Sequence, residues 1–507
     1  MLGARRAGSI AGMSVAGPIN SPVNPTASEA PGRRARISRR AVLGVAAAGG
    51  AGMAAIRLLG LDRALTAPST GGRLDWNSPL GSETARVAHL LRRNTFGAAA
   101  EELDAAASAG FSKTVDRLVE TPPAEPPALP AAAVRDGYGL NVPELQLWWL
   151  QHMLASPTPF AERITLFMHG HFTSDYQKVG VQTPYLHWQN LTWRRMAFTD
   201  LRSALLKVTA DPAMLRYLDL GQSTGKAPNE NYSRELMEVF TMGAGQFHEA
   251  DVRGGAKALA GWVEPKPDRV IDVTLDAKNN VTRKYPVWDA PAEGRVDPRR
   301  AYTGSDITFL GKTGKLDSEG VIDAILAQPV TAVYITTKLL SDFGMANPPD
   351  AWVKRLAGQF RSSKYDFKTL YAAVFKSPEF IAPAAYRSLV KNPTELMVHA
   401  LKTLKAPQLA RLAVTAGPGM GQQLFNPPDV GGWPKNDSWI SSNDVVARVN
   451  FVTTLLGQVK NPPPATDAHQ HQLDGVLSPQ TANLLGQATD DKTRWLLTLA
   501  SPEFQLK

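Results

Sequence analysis

The chain has 507 residues, of which 43% are hydrophobic and 20% charged, a composition typical of a globular protein with a substantial core. Of its net charge of +9, residues 1–67 carry +7, because they hold nine basic and two acidic residues. The remainder is nearly neutral, which argues against a polyanion-binding surface and predicts no nucleic-acid partner. Cysteine is absent, which excludes disulfides, thiolate metal sites and cysteine nucleophiles.

Residues 1–67 are predicted to be a disordered leader. Arg39 and Arg40 stand as a pair within residues 38–43, and a weakly apolar run rich in Ala and Gly occupies residues 41–56. This pattern resembles a twin-arginine export signal, which a receptor reads on proteins that have already folded. We therefore expect a protein exported by the twin-arginine machinery to the periplasm, the envelope or the medium, with membrane contact only through this signal. The alternative is a basic tail on a cytoplasmic protein, and both cleavage of the signal and its retention as an anchor stay open.

The body of the chain is predicted to be mainly α-helical, with one large multi-helix domain. Residues 68–130 are predicted to hold N-terminal helices within 82–109, broken at 94–97, and a proline-rich linker at 121–130. Residues 131–460 form the predicted core, and residues 461–507 a C-terminal helical tail. Apolar periodicity predicts further helices at 144–155, 159–172, 201–218 with a break at Asp211-Pro212, 319–327, 331–343, 350–360, 367–375, 393–404 and 445–456.

A small β-hairpin excursion is predicted around residues 264–314. Segments 270–275 and 281–285 alternate in strand fashion about a turn at 276–280. A further short strand is predicted at 307–310, just before Gly311.

The stretch at residues 229–262 carries the strongest functional signal. In a helix numbered from Pro228, four polar residues beginning with Asn231 fall at i, i+3, i+4 and i+7 and form one stripe. The stripe is either a solvated face with local ion pairs or a buried network that serves a ligand or the fold. The candidate catalytic residues are Asn229, Glu230, Asn231, Arg234, Glu235 and Glu238.

His169 and His171, at the end of the helix predicted at 159–172, are the candidate metal ligands. Positions i and i+2 of a helix point about 200° apart, so both imidazoles reach one metal only if Gly170 opens the helix. The alternative, which the spacing alone favours, is a hydrogen-bonded core histidine at His171 and a surface histidine at His169.

Asp251 and Trp433 are the candidate binding residues. Asp251 stands three residues after His248 at a helix entry, which is the spacing of a capping box and favours a helix-start role. Trp433 belongs to the proline- and glycine-rich loop at residues 424–439. This loop is either the wall of a carbohydrate or aromatic site or a packed structural lid.

Glu395 and His399 stand at i and i+4 of a predicted helix, a spacing that favours a solvated pair over a metal site. Three familiar signatures are missing from the sequence: a P-loop, an H-E-x-x-H helix and a G-x-G-x-x-G turn. The motifs therefore do not specify a reaction.

Five segments across about residues 85–460 occur together, in the same order and spacing, in one protein family. They are His89-Leu90-Leu91-Arg92-Arg93 with Phe96-Gly97, Glu162-Arg163 with His169-Gly170-His171-Phe172, Asn229-Glu230-Asn231-Tyr232 with Arg234-Glu235-Leu236, Asp251-Val252 with Gly261-Trp262, and Pro427-Pro428 with Gly432-Trp433. On these segments the chain resembles the bacterial domain-of-unknown-function family 1800. The resemblance implies an exported protein, often encoded beside an exported family that resembles alkaline phosphatases and sulfatases, and it implies no settled reaction.

Two positions depart from the family pattern. His248 stands where similar proteins usually have Ser or Thr, which weakens the predicted capping box. Tyr302 and Thr303 stand where similar proteins commonly have a His-Asp pair. If that pair is catalytic or binds a metal, the chemistry of this chain is altered; if it is structural, nothing follows.

Two functions fit these observations. The first, which we favour, is an enzyme acting on an envelope or extracellular substrate. Its carboxylate and imidazole groups would act as general base or bind a divalent metal, with Arg234 fixing an anionic group and hydrolysis the favoured reaction. The second is a non-catalytic envelope scaffold or a binding partner of the phosphatase- or sulfatase-like neighbour.

Overall fold

The computed structural model describes residues 76–135, 139–274 and 282–507. The predicted leader at residues 1–67, with its paired arginines, lies outside the described residues. So does the whole hairpin turn predicted at residues 276–280. The described residues belong to one compact unit.

Helices dominate the described chain, which confirms the mainly α-helical prediction. The first eleven are α1 (Glu83–Asn94), α2 (Ala100–Ala109), α3 (Phe111–Glu120), α4 (Val142–Ala155), α5 (Pro159–His171), α6 (Tyr176–Val179), α7 (Tyr185–Met196), α8 (Leu201–Ala210), α9 (Pro212–Tyr217), α10 (Asn231–Glu238) and α11 (Glu249–Ala258). The next eleven are α12 (Ser318–Ala327), α13 (Pro329–Leu339), α14 (Asp350–Ser362), α15 (Phe367–Phe375), α16 (Pro393–Thr403), α17 (Arg411–Ala416), α18 (Ser442–Gln458), α19 (Ala468–Leu473), α20 (Pro479–Gln487), α21 (Asp491–Ala500) and α22 (Pro502–Gln505).

Helix boundaries follow local capping chemistry. The Ser82 hydroxyl accepts from the Ala85 N–H at 3.2 Å and starts α1. The predicted break between α8 and α9 is confirmed, because Asp211 caps α9 through the Met214 N–H at 2.8 Å. The helix predicted at 331–343 departs from expectation at its end: α13 stops at Leu339, and one π-helical turn, Leu340–Gly344, follows it.

In the part of the chain that the structure describes, eight short strands pair two by two, and the predicted excursion around residues 264–314 is confirmed. The strands are β1 (Val134–Arg135), β2 (Gly139–Leu140), β3 (Trp262–Val263), β4 (Arg269–Thr274), β5 (Thr282–Val287), β6 (Arg295–Val296), β7 (Ile307–Phe309) and β8 (Lys312–Gly314). Antiparallel β4 and β5 form the predicted hairpin, with Arg269 opposite Val287. Two other pairs, β3 with β6 and β7 with β8, complete the excursion.

One hydrophobic core contains side chains from Val87 to Phe504. It therefore includes residues from each of the three regions predicted from the sequence, 68–130, 131–460 and 461–507. The boundaries predicted at residues 130 and 460 stay predictions. Helix α5 runs through this core with nearly every side chain buried, as expected of a central helix. Its buried Glu162 accepts from Arg194 Nε at 2.6 Å and Nη2 at 2.8 Å, which compensates the buried charge.

Within the described residues, no single helix is long and apolar enough to cross a bilayer. One bent pair, Ser318–Ala327 with Pro329–Gly344, passes the test on length and composition alone.

Candidate functional site

Helix α10 carries the predicted catalytic stripe and begins three residues later than a helix numbered from Pro228. The delay comes from a local turn, in which the Asn229 Oδ1 accepts from the Asn231 N–H at 2.9 Å. The Asn229 N–H in turn donates to the Ser223 Oγ at 3.0 Å. Asn229 therefore shapes the entry to α10.

The side chains of the polar stripe are half-buried, so their exposure is intermediate between the solvated face and the buried network considered from the sequence. Arg234 donates from both Nη atoms to the Glu249 carboxylate, at 2.6 and 2.8 Å, and so pairs α10 with the start of α11. Glu230 lies 3.8 Å from Arg234, and the Asn231 Nδ2 donates to the Leu218 carbonyl at 3.4 Å. These three side chains make contacts that stabilise the fold.

Glu235 and Glu238 differ from their neighbours. Both are half-buried, and neither has a hydrogen-bond or ion-pair partner among the described residues. Burial raises the pKa of Glu235, and the Glu238 charge raises it further while Arg234 opposes the shift. The face of α10 thus presents two uncommitted carboxylates one helical turn apart.

A buried phenol connects this face with two other parts of the fold. Burial raises the pKa of Tyr217 to about 12, and three nearby carboxylates, Asp175, Asp429 and Glu235, raise it as well. Asp175 caps α6 by accepting from the Lys178 N–H at 2.7 Å. Helix α10, the cap of α6 and the loop at residues 424–439 therefore converge around one tyrosine.

The loop at residues 424–439 lines a cavity of about 550 Å³, which we call the Trp433 groove. Its walls are predominantly polar and proline-rich, and the residues that the argument uses are Asp175, Gln177, Gln423, Asn426 and Trp433. The loop lines a cavity, and the carbohydrate or aromatic site suggested for it stays a prediction. Trp433 is itself largely buried and lies with its ring centroid 5.3 Å from that of His169.

The loop is seated on the end of α5 by close backbone contact. The Thr173 hydroxyl donates to the Val430 carbonyl at 2.7 Å. Gly432 has φ +87°, and a Cβ at this position would lie 2.2 Å from the Gly170 carbonyl oxygen. Only glycine fits there, so the two glycines fix the distance between loop and helix.

The two candidate metal ligands, His169 and His171, form hydrogen bonds with the backbone of two different residues. The His169 Nε2 accepts from the Phe425 N–H at 3.0 Å, and the His171 Nε2 donates to the Phe240 carbonyl at 3.0 Å. Burial lowers the pKa of His169 to about 3 and that of His171 well below its ordinary value. The described residues contain no group of three or more His, Asp and Glu side chains that could hold a metal ion. The divalent metal stays a prediction, and His169 is buried instead of lying at the surface.

Asp251 joins two elements at the edge of the β excursion. Its Oδ2 accepts from the His248 N–H at 2.9 Å, and its Oδ1 accepts from the Leu310 N–H at 2.8 Å. The His248 side chain makes no capping hydrogen bond, so the capping box is one-sided, as the departure from Ser or Thr predicts. Tyr302 is half-buried under the Lys257 ammonium and Thr303 is exposed.

One sequence-based expectation, at Glu395 and His399 of α16, is wrong. Glu395 and His399 are not a solvated pair, because both are buried. The His399 Nε2 bonds to the Gln472 Oε1 at 2.9 Å, and Glu395 pairs with Arg163. The capping-box spacing of Asn392 and Glu395 was the signal available for a more structured role.

Sequence reasoning also missed Tyr217 and Asp175. Neither stands in a chemical motif, and their relation to Glu235 arises from contacts between distant segments. Asp429 offered a weak signal, because it lies inside the loop that was selected for its prolines and tryptophans.

These features define a mainly α-helical protein with a polar groove between helix α6 and the loop at residues 424–439. The chain belongs to the domain-of-unknown-function family DUF1800, described as proteins of unknown function, whose family model matches residues 89–506. Searches of curated proteins and of solved structures gave no significant match.

Proposed function

We propose that this chain is an exported hydrolase that acts on a carbohydrate-containing substrate of the cell envelope, with Glu235 as general acid or base. The observation that carries the proposal is the Glu235 carboxylate, which is half-buried, lacks a partner among the described residues and has a raised pKa. A general acid must keep its proton closer to neutral pH than an ordinary glutamate does. Glu235 has the environment that produces this shift.

The lining of the Trp433 groove supports the substrate class. Side-chain amides of Gln177, Gln423 and Asn426 and the Asp175 carboxylate offer donors and acceptors for hydroxyl groups, and Trp433 adds an indole. Ligand sites commonly combine aromatic surface with a few polar groups that fix orientation.

Glu238 supplies the second carboxylate of the reaction. Side chains three residues apart on a helix are neighbours, with Cβ atoms about 5–6 Å apart, so both carboxylates reach the same part of a substrate. Hydrolysis of a glycosidic bond requires one carboxyl that protonates the leaving oxygen and another that activates water or attacks the sugar. Glu235 takes the first role because its pKa is raised.

Incorporation of ¹⁸O from labelled water tests for hydrolysis, whichever bond of the substrate is cleaved. Purified protein is incubated with cell envelopes in H₂¹⁸O, and soluble fragments are analysed by mass spectrometry. We expect labelled fragments with the wild-type protein and a loss of at least roughly 100-fold in rate for Glu235→Gln. Glu379→Gln, a partly exposed carboxylate paired with Arg355, is the control and should retain the rate. Absence of labelled fragments above the protein-free sample would exclude the hydrolase.

A non-catalytic scaffold, or a binding partner of the phosphatase-like neighbour, is the second candidate function. It is favoured by the structural contacts of Arg234 and Asn229 and by the histidines that hold backbone groups. Thermal melting of Glu235→Gln separates the two candidates. An unpartnered carboxylate beside Glu238 destabilises the fold, so the enzyme proposal expects an unchanged or higher melting temperature, whereas a structural carboxylate would give a lower one.

A further inference from the structure

A second cluster of charges surrounds Arg163 of α5, in a cavity that Trp433 also lines. The guanidinium is fully buried, with its Nε 2.5 Å from the Glu395 Oε1, and its Nη2 donates to the Asp342 carboxylate. Its Nη1 has no hydrogen-bond partner among the described residues. An unpaired buried N–H of a charged group is costly, so a ligand that accepts from it would stabilise the protein.

Arg163 lines a cavity of about 50 Å³, which we call the Arg163 pocket. A cavity needs about 10–15 Å³ of such volume to hold one water, so this one has room for a group of a few heavy atoms. Its polar lining beyond the carboxylates consists largely of groups that can donate hydrogen bonds: Asn392, Gln422, Lys435, Asn436 and Lys507.

The side-chain charges that line the pocket do not cancel. Three cationic side chains, Arg163, Lys435 and Lys507, face two carboxylate side chains, Asp342 and Glu395, an excess of one positive side chain. Lys507 pairs with Glu395 and its Nζ lies 3.7 Å from the Asp342 Oδ1, and the Lys435 Nζ lies 3.7 Å from the Asp342 Oδ2. Both carboxylates are therefore shared among cations.

The positive charges in and near the pocket also lower the pKa values of two lysines. Burial and the Arg163 charge lower the pKa of Lys507 to about 8, against the opposing effect of the carboxylates of Glu395 and Asp342. The pKa of Lys338, which lies near Lys435, is lowered to about 8 by burial and by the Lys435 charge. A bound negative charge would relieve both effects.

The guanidinium is held in place from several sides. Its Cζ lies 4.5 Å from the centroid of the Phe343 ring, and Asp342 and Phe343 belong to the π-helical turn Leu340–Gly344. Such turns are rare and are frequent at functional sites. The fold thus fixes the position of the one edge of Arg163 that has no partner among the described residues.

We propose that the Arg163 pocket binds one small oxyanion group, a carboxylate, phosphate or sulfate, through Arg163 and Lys435. Planar guanidinium groups match such oxygens geometrically, and a lysine adds a mobile point charge. The site is distinct from the Trp433 groove, and the proposal does not rest on the proposed hydrolase. The same chemistry is offered by a free anion and by an acidic group on an envelope sugar.

Lys435→Met is the informative variant, because it removes a cation that stands at the edge of the pocket. Its side chain is 38% exposed and only 3.7 Å from its nearest carboxylate oxygen, so the fold does not depend on it. Lys368→Met is the matched control, with a side chain that is 33% exposed and 3.5 Å from Glu120. Lys435→Arg keeps the charge and should keep the binding.

Isothermal titration with phosphate, sulfate and acetate, at constant ionic strength set by NaCl, measures the binding. We expect saturable binding of one anion per chain to the full-length protein and at least a roughly tenfold weaker affinity in Lys435→Met, as loss of a charged hydrogen bond predicts. Lys368→Met and Lys435→Arg should bind as the wild type does. No saturable binding above the chloride background, or equal weakening in both methionine variants, would overturn the proposal.

Sugar acids distinguish the two sources of the anion. Glucuronate is compared with acetate, and glucose 6-phosphate with inorganic phosphate, while glucose is the uncharged control. Tighter binding of the sugar-borne groups, lost in Lys435→Met, identifies an acidic glycan group as the ligand. Equal affinity for both members of each pair identifies a free anion, and binding of glucose alone contradicts an anion site.

Discussion

The backbone N–H of Phe425 donates to the His169 Nε2 at 3.0 Å, although the two residues lie 256 positions apart in the sequence. This nitrogen can accept only if it carries no proton, so the imidazole is neutral and its proton sits on Nδ1. Its pKa of about 3 keeps it neutral throughout the physiological range. His169 is therefore an anchor for the loop that walls the Trp433 groove.

Substitution of His169 should show whether acceptor chemistry or ring packing holds the loop. His169→Phe leaves the Phe425 N–H buried without a partner, and we expect a loss of roughly 1–3 kcal/mol in the free energy of unfolding. His169→Gln restores an acceptor and should lose less. Urea denaturation measures both variants, and equal losses would contradict the acceptor role.

Acid should destabilise this protein well above the pH at which carboxylates titrate. Burial lowers the pKa of five histidines, so below the ordinary value of about 6.5 the unfolded chain binds more protons than the folded chain. Stability is therefore complete above about pH 6.5 and falls with pH, by roughly 1.4 kcal/mol per histidine at pH 5.5. The histidines are His89, His169, His171, His187 and His399.

One buried carboxyl acts in the opposite direction. The pKa of Asp211 is raised to about 7 by burial, so its folded form binds a proton that the unfolded form releases, and stability rises as the pH falls through 7. Urea denaturation at pH 7.5, 6.5 and 5.5 measures the sum. His187→Phe, which removes a half-buried imidazole with a pKa of about 4, should reduce the decline. Equal stability at the three pH values would contradict the prediction.

The adjacent glycines of the loop offer a matched pair of variants. Gly432→Ala combines a positive φ with a Cβ that would lie 2.2 Å from the Gly170 carbonyl oxygen, whereas at Gly431 the nearest atom, the Asp429 Oδ1, is 3.0 Å away. We expect Gly432→Ala to lose at least roughly 2 kcal/mol and to expose Trp433, and Gly431→Ala to change little. Unfolding free energies and tryptophan fluorescence give the comparison, and similar losses in both would contradict the close contact.

Export is expected to depend on the paired arginines at the start of the apolar segment. Replacing both with Lys, as Arg39→Lys with Arg40→Lys, keeps the charge but removes the pair that the twin-arginine receptor reads. The protein should then accumulate in the cytoplasmic fraction. Identical fractionation of the wild type and the double variant would rule out this route, and a variant at Arg33 and Arg34 serves as the charge-matched control.

Much of the fold could be predicted because its signals are local. The break at Asp211 and the strand alternation around β4 depend on residues within a few positions of one another. The π-helical turn after α13 was missed because its apolar spacing is the same as that of a continuing helix.

The site was predicted less well because it depends on contacts between distant segments. The position of Glu235 on a polar stripe was visible, but Tyr217 and Asp175 were not, since no spacing relates them to α10. Glu395 was predicted to be solvated because it was considered only with its helical neighbour His399, and not with Asn392, to which it has capping-box spacing. Its actual partners, Arg163 and Lys507, come from other elements.

Helix α1 has a consequence for the order in which the protein folds. His89, Arg93 and Arg92 bond to Phe380, Ser388 and Asp474, which lie 291, 295 and 382 residues later. The buried polar groups of α1, the first helix of the described residues, therefore find their partners only after most of the chain has been synthesised, and loop closure over such distances is slow. An export route that carries only folded chains would have to act on this protein after its synthesis is complete.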